Sequence, residues 1–148
     1  MTPAIDHQPQ RMVLRNEFAD LPQLSRWIEA CMPADLSPNV AFAVALCVEE
    51  AVVNIMMHGG SEGDRLEISV ELGRGPGTMT ARVEDNGRKF DPTQVPPPVA
   101  ATSLKDAKIG DLGIHLMRSF ASEVHYRHSG SHNQLTLRFH EPDAMPPG

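Results

Sequence analysis

The stretch from Asn39 to Gly60, NVAFAVALCVEEAVVNIMMHGG, constrains this chain more than any other. Its apolar residues fall on almost every side of a helix, and a helix of that kind is buried. Ser37 and Pro38 supply a cap and a first-turn residue, and Gly59-Gly60 supplies a stop. Within it stand three polar residues at four-residue spacing, Glu50, Asn54 and His58. Each step of four drifts by about 40° around the axis, so the three share one stripe. An acid and an amide buried without partners would cost several kcal/mol. The stripe therefore either closes on itself in a hydrogen-bond network or faces a cleft that holds something polar. Spacing alone leaves both open.

A buried helix needs a sheet to lie on. Leu66, Ile68, Val70 and Leu72 alternate with Glu67, Ser69 and Glu71. After a GRGPG turn at Gly73–Gly77, Met79, Ala81 and Val83 alternate with Thr80, Arg82 and Glu84. This period of two predicts strands with one buried face and one wet face. Met12 to Phe18 reads as an edge strand, and Val124–His128 with Gln134–His140 as a closing hairpin around Ser129-Gly130-Ser131. Further helices are expected from an Asp20 cap to Cys31, and from Ile114 to about Ala121. Together these predict an α/β fold: a two-layer sandwich whose mixed, mostly antiparallel sheet is covered on one face by about three helices. One domain is expected over residues 11–140, between flexible tails at 1–10 and 141–148. The stretch from Gln94 to Gly110, QVPPPVAATSLKDAKIG, is long for a plain connection and is expected to be functional or disordered.

A net charge of −6 with no basic run argues against direct binding of nucleic acid, while leaving a basic protein partner open. Cys31 and Cys47 have neither disulfide nor zinc spacing, which points to a reducing compartment. The sequence shows no signal peptide and no charge-free apolar run long enough to span a bilayer, so no membrane and a cytoplasmic location are expected. His125, His128 and His132 alternate faces across the predicted hairpin and read as surface histidines rather than a metal set.

Three short signals follow one another along the chain. The first is the Glu50/Asn54/His58 stripe, the second Asp85-Asn86-Gly87 at a strand end, and the third Gly110-Asp111-Leu112-Gly113 opening a helix. Asp-Asn-Gly is also an ordinary turn, and Gly-x-x-Gly a common helix lead-in. Their order and context make the combination specific. With Phe90-Asp91-Pro92 beside the second signal, it resembles the three nucleotide boxes of the anti-sigma-factor serine/threonine kinases, within the histidine-kinase-like, Hsp90-like ATPase superfamily. The resemblance covers roughly residues 12–140 and implies a Bergerat-type ATP-binding fold.

It also implies roles. Asn54 would offer an amide oxygen to Mg²⁺, a hard cation that keeps several waters and accepts such a ligand beside phosphates. Asp85 would accept a hydrogen bond from the exocyclic amine of adenine and reject guanine's carbonyl. Gly87 would let the backbone approach the base. Gly110, Leu112 and Gly113 would hold the phosphates at a helix N-terminus, with Lys108 and Lys105 either closing over them as a lid or simply belonging to a solvated charged loop. Glu50 would be the base that takes a proton from a serine hydroxyl, Glu49 pointing about 100° away. His58 is read as structural. The chain departs from the family pattern at Arg88-Lys89, where many relatives have a second glycine, and at Asp111, where relatives often have Gly-Gly-Leu-Gly.

By resemblance the function is that of an ATP-dependent protein-serine kinase that also binds a sigma factor and phosphorylates an anti-sigma-factor antagonist; a homodimer is compatible with it. The alternative is a nucleotide-responsive binding module that transfers no phosphate. A detached catalytic domain of a histidine kinase fits less well, for want of helices carrying a phospho-accepting histidine.

Overall fold

A computed structural model of the chain describes residues 9–59, 66–94 and 111–142. Gly60, Lys105, Lys108 and Gly110 lie outside the described residues, as do most of the Gln94–Gly110 stretch and of both expected tails. Five strands, β1 (Gln10–Arg15), β2 (Glu67–Gly75), β3 (Thr78–Asp85), β4 (Glu123–Ser129) and β5 (His132–His140), form one sheet in the order β1-β2-β3-β5-β4. Three helices, α1 (Leu21–Cys31), α2 (Pro38–His58) and α3 (Asp111–Phe120), make the second layer. The expected sandwich is therefore present, and β1 lies at the edge as its weak alternation suggested. The sheet is not mixed: every neighbouring pair among the described residues is antiparallel. Antiparallel neighbours can be joined by two-residue turns, and two of the four pairs are.

Those turns moved one boundary. β2 runs on to Gly75, with Gly73 opposite Thr80 and Arg74 opposite Met79, where a turn was expected. Pro76-Gly77 alone makes the reversal, proline at its first central position and Gly77 at φ 64° at its second. In the β4–β5 hairpin Ser129 faces His132, and Gly130 at φ 62° takes the left-handed position.

Ser37 caps α2 as its sequence predicts: its Oγ accepts from Val40 N–H at 3.4 Å, with Pro38 in the first turn. Asp20 does not cap α1. A short 3₁₀ turn, Phe18–Asp20, leads straight into the helix and holds Asp20 at φ −82°, ψ −11°. A capping side chain needs an extended backbone to reach the first free N–H groups. α3 starts at Asp111 rather than Ile114, so Leu112 and Gly113 belong to its first turn. First-turn N–H groups need no partner within the helix, which makes glycine tolerable there.

The core lies between α2 and the sheet. Val44, Cys47, Val48 and Val52 are fully buried with Ile68, Val70, Ala81 and Leu137. By length and composition α2 is apolar enough to cross a membrane; here half of that stretch is buried inside the fold. Burial and the charge of nearby Glu50 push the Cys47 thiol up to about 12. On the other face of the sheet Ser69, Thr80 and Thr136 are buried too, where a wet face was expected. Thr80 sits across the ladder from Arg138 and Thr136 from Arg82, and long arginine stems shield small neighbours. Glu141 ties the layers together at the far end: its N–H donates to Gly77 O at 2.8 Å and its Oε1 accepts from Ser37 N–H at 3.0 Å.

Because Ile68 is fully buried at the centre of this packing, Ile68→Ala is expected to lower the unfolding free energy by about 2–5 kcal/mol. Val13, more than half exposed on the edge strand, should tolerate Ala within about 0.5 kcal/mol. Urea titrations of both variants check the pair; equal losses would misplace the core.

Candidate functional site

A pocket opens between the last turns of α2, the ends of β3 and β5, and the segment that follows β3. Ala51, Val83, Met117 and Leu135 give it an apolar lining, and Asn54, His58, Asp85, Arg88, Tyr126 and Asn133 bring polar groups. The sequence periodicity explains the meeting. Asn54 is a polar position on the buried side of α2, and Asp85 ends β3 in register with Asn133 of β5. Two of the three signals are thus brought together. From the third, α3 contributes Met117 to the pocket; Gly113 and Leu112 lie two turns or less before it on the same helix.

Asn54 is 6% exposed, and neither its Oδ1 nor its Nδ2 has a hydrogen-bond partner among the described residues. A buried amide left in that state costs about 1–3 kcal/mol per group. Its oxygen is the kind of donor a Mg²⁺ ion accepts, so the residue fits the metal role the boxes imply. Glu50, one turn earlier, is half-buried and is not among the residues lining the pocket. Glu49 is occupied elsewhere: its Oε1 accepts from Ser25 Oγ and joins α2 to α1.

Asp85 is 5% exposed. Its Oδ1 accepts from Gly87 N–H at 2.8 Å and from Asn133 Nδ2 at 3.1 Å. Burial pushes this carboxyl above its ordinary range, with Glu84 adding to the rise. The two hydrogen bonds and His132 pull the other way without cancelling it. Gly87 has a structural reason to be glycine: a Cβ there would stand 2.2 Å from the Gly59 carbonyl oxygen and 2.8 Å from Leu66 Cδ1. The backbone after β3 passes that closely under the end of α2.

Arg88 makes use of this passage. Its N–H donates to Gly59 O at 2.7 Å and its Nη2 to His58 O at 2.8 Å, so it satisfies carbonyls at the C-terminus of α2. The His58 ring stacks on Phe90, with centroids 6.0 Å apart and planes 29° apart. After Phe90, Asp91 Oδ1 accepts from Thr93 N–H at 2.8 Å and from its Oγ1 at 2.5 Å, opening a 3₁₀ turn over Pro92–Gln94. Arg118 of α3 donates to the Thr93 carbonyl.

Asn133 and Tyr126 escaped the sequence reading. The signal was there: Asn133 is a polar residue in phase with Leu135, Leu137 and Phe139 on the buried face of β5. It breaks the pattern as Asn54 does on α2, and the strand predicted over Gln134–His140 starts one residue beyond it, whereas β5 starts at His132.

Residues 14–139 match the family described as the histidine kinase-like ATPase domain. Serine/threonine-protein kinase BtrW of Bordetella bronchiseptica is 35% identical over 115 residues, which are 77% of this chain and 81% of BtrW. Among solved structures, the histidine kinase domain of a blue-light activated histidine kinase from Erythrobacter litoralis superposes with a TM-score of 0.53 at 16% identity, covering 82% of this chain and 59% of that one. A Mycobacterium tuberculosis protein with RsbU and RsbW domains gives a TM-score of 0.62 at 14% identity, over 90% of this chain and 32% of that one. At such identities the structural likeness shows the fold.

The buried carboxyl makes a stability prediction. Its folded pKa lies above the unfolded value, so its contribution is fully present below the unfolded carboxylate range and is lost as pH rises through the folded value. Asp85→Asn keeps an oxygen for Gly87 N–H and Asn133 and removes the desolvated charge. The variant is expected to melt higher than the unmodified protein at neutral pH, the difference vanishing in acid. Melting curves across pH check it; a lower melting temperature at pH 7 would contradict it.

Proposed function

The chain belongs to the histidine kinase-like ATPase family, and from that premise we propose that it binds ATP with Mg²⁺ and transfers the terminal phosphoryl group to a serine of a partner protein. The observation that carries this reading is the Asn54 amide, buried and unpartnered among the described residues, in a pocket whose opposite wall ends in the Asp85 carboxylate. One position asks for a hard cation or a polar phosphate group, the other for a hydrogen-bond donor on a flat base.

In this mechanism Asp85 accepts the exocyclic amine of adenine, and the apolar lining around Val83 and Met117 takes the ring faces. Asn54 would hold Mg²⁺, which would neutralise phosphate charge. The third box, Gly110, Leu112 and Gly113 with Lys108, holds the phosphates. Glu50 accepts the serine proton as the serine oxygen bonds to the γ-phosphorus and the bond to ADP breaks. The partner is an anti-sigma-factor antagonist, the freed kinase holds a sigma factor, and the setting is cytoplasmic, without direct contact to nucleic acid or membrane. The serine/threonine-kinase relative supports the phosphoryl transfer, and the fold shared with a protein that carries an RsbW domain is compatible with these partners. A homodimer is compatible with it.

The second reading is a nucleotide-responsive binding module without transfer. The position of Glu50 outside the pocket lining favours it. Two variants separate the alternatives. Asn54→Ala should abolish Mg²⁺-dependent ATP binding in calorimetry, and unchanged affinity would reject the metal role. Glu50→Gln should keep the melting temperature and ATP affinity while single-turnover transfer to the antagonist falls by about 10²–10⁴-fold. Undiminished transfer by the stable variant would remove Glu50 as base; absence of transfer by the unmodified protein would favour the binding module.

A further inference from the structure

Asn133 uses all its hydrogen-bonding capacity. Its Nδ2 donates to Asp85 Oδ1 at 3.1 Å, to Arg88 O at 2.9 Å and, more weakly, to Gly87 O at 3.4 Å. Its Oδ1 accepts from Phe90 N–H at 3.2 Å and from the Tyr126 hydroxyl at 2.5 Å. An amide has two N–H groups and one oxygen with two lone pairs, so nothing is left over. The orientation is also unique. A flipped amide would set its NH₂ against the Phe90 N–H and its oxygen against a carboxylate and two carbonyls.

One side chain therefore joins β5 to the end of β3, to the backbone of residues 87–90, and through Tyr126 to β4. From the other layer the same segment is held by Arg88 on the α2 carbonyls and by Phe90 on His58. Both donors to Asp85 fall on Oδ1, and Oδ2 takes neither. We propose that Asn133 is the positioning residue for base recognition, committing one oxygen of Asp85 to the protein so that the other is presented to the base, and locking the Gly87–Phe90 lip of the pocket. The proposal rests on the ATP reading above and extends it to a residue outside the three boxes.

An amide suits this place where an acid would not. The charged and titratable groups around Asp85 are Glu84 on β3, His132 on β5, Tyr126 on β4, His58 on α2, and Arg88 and Asp91 after β3. A second carboxyl at position 133 would face Asp85 directly, and two such groups resist ionising together. Sharing one proton, the new acid would donate to Asp85 as the amide does; with both ionised, the arrangement would be lost.

The test is calorimetric binding of ATP and of GTP, each with Mg²⁺, to the full chain and three variants, with a melting curve for each. Asn133→Ala should weaken ATP binding by about 10–100-fold and narrow the preference for ATP over GTP. Tyr126→Phe, a smaller change, should weaken ATP binding by about fivefold. Asn133→Asp should bind poorly near about pH 8 and recover toward about pH 5.5, while the unmodified chain shows no such recovery. Recovery of binding at a temperature where each variant is fully folded at both pH values is the reading that a merely structural role would not produce. ATP affinities equal to that of the unmodified chain, or losses that follow only a lowered melting temperature with no recovery in acid, would overturn the proposal. If the unmodified chain binds no ATP, the ATP reading fails and this inference fails with it; if it binds and the variants bind alike, only this inference fails.

Discussion

The close passage of Gly87 beneath the Gly59 carbonyl is the contact on which the site depends. It lets the end of β3 dock against the end of α2, and Arg88 then bonds to two carbonyls of that helix end. The apolar core fixes how the layers face each other; the glycine contact fixes how they meet at the working end.

That end is built against local stability. The Asn54 amide is buried without a partner among the described residues, and the Asp85 carboxyl is held by burial above its ordinary range. Both are groups a fold selected only for stability would replace or satisfy. Around them the structure is over-determined: Asn133 bonds to five residues, the Asp91–Thr93 turn is anchored to α3 by Arg118, and His58 leans on Phe90. Rigid surroundings keep two unfavourable groups in place, as the proposed nucleotide site requires.

Much of this was legible in the chain. The 22-residue apolar stretch demanded a buried helix, the two-residue alternation of Leu66–Leu72 and Met79–Val83 demanded a sheet beneath it, and polar residues in the wrong phase marked the site. What was hidden depends on distance in space. That Asn133 would oppose Asp85 follows from strand register, and that Gly87 would meet Gly59 follows from packing between layers; neither is a property of a local window. Asp20 shows the converse, a residue with the right chemistry for a cap whose backbone was already turned by the preceding 3₁₀ segment. Thr80 and Thr136 show it again, polar residues in the outward phase that are buried opposite the long side chains of Arg138 and Arg82.

Cys47 gives this architecture an internal clock. Its sulfur is fully buried in the middle of α2, and its thiol is pushed up to about 12 by burial first and by Glu50 second. In the closed protein it is neither reachable nor nucleophilic, because only an exposed thiolate reacts. Any alkylation of Cys47 must therefore pass through states in which the packing around α2 has opened, and its rate reports on those openings. Because Asn54 lies two turns along the same helix, a ligand that ties Asn54 to the opposite wall would slow that clock without touching the cysteine.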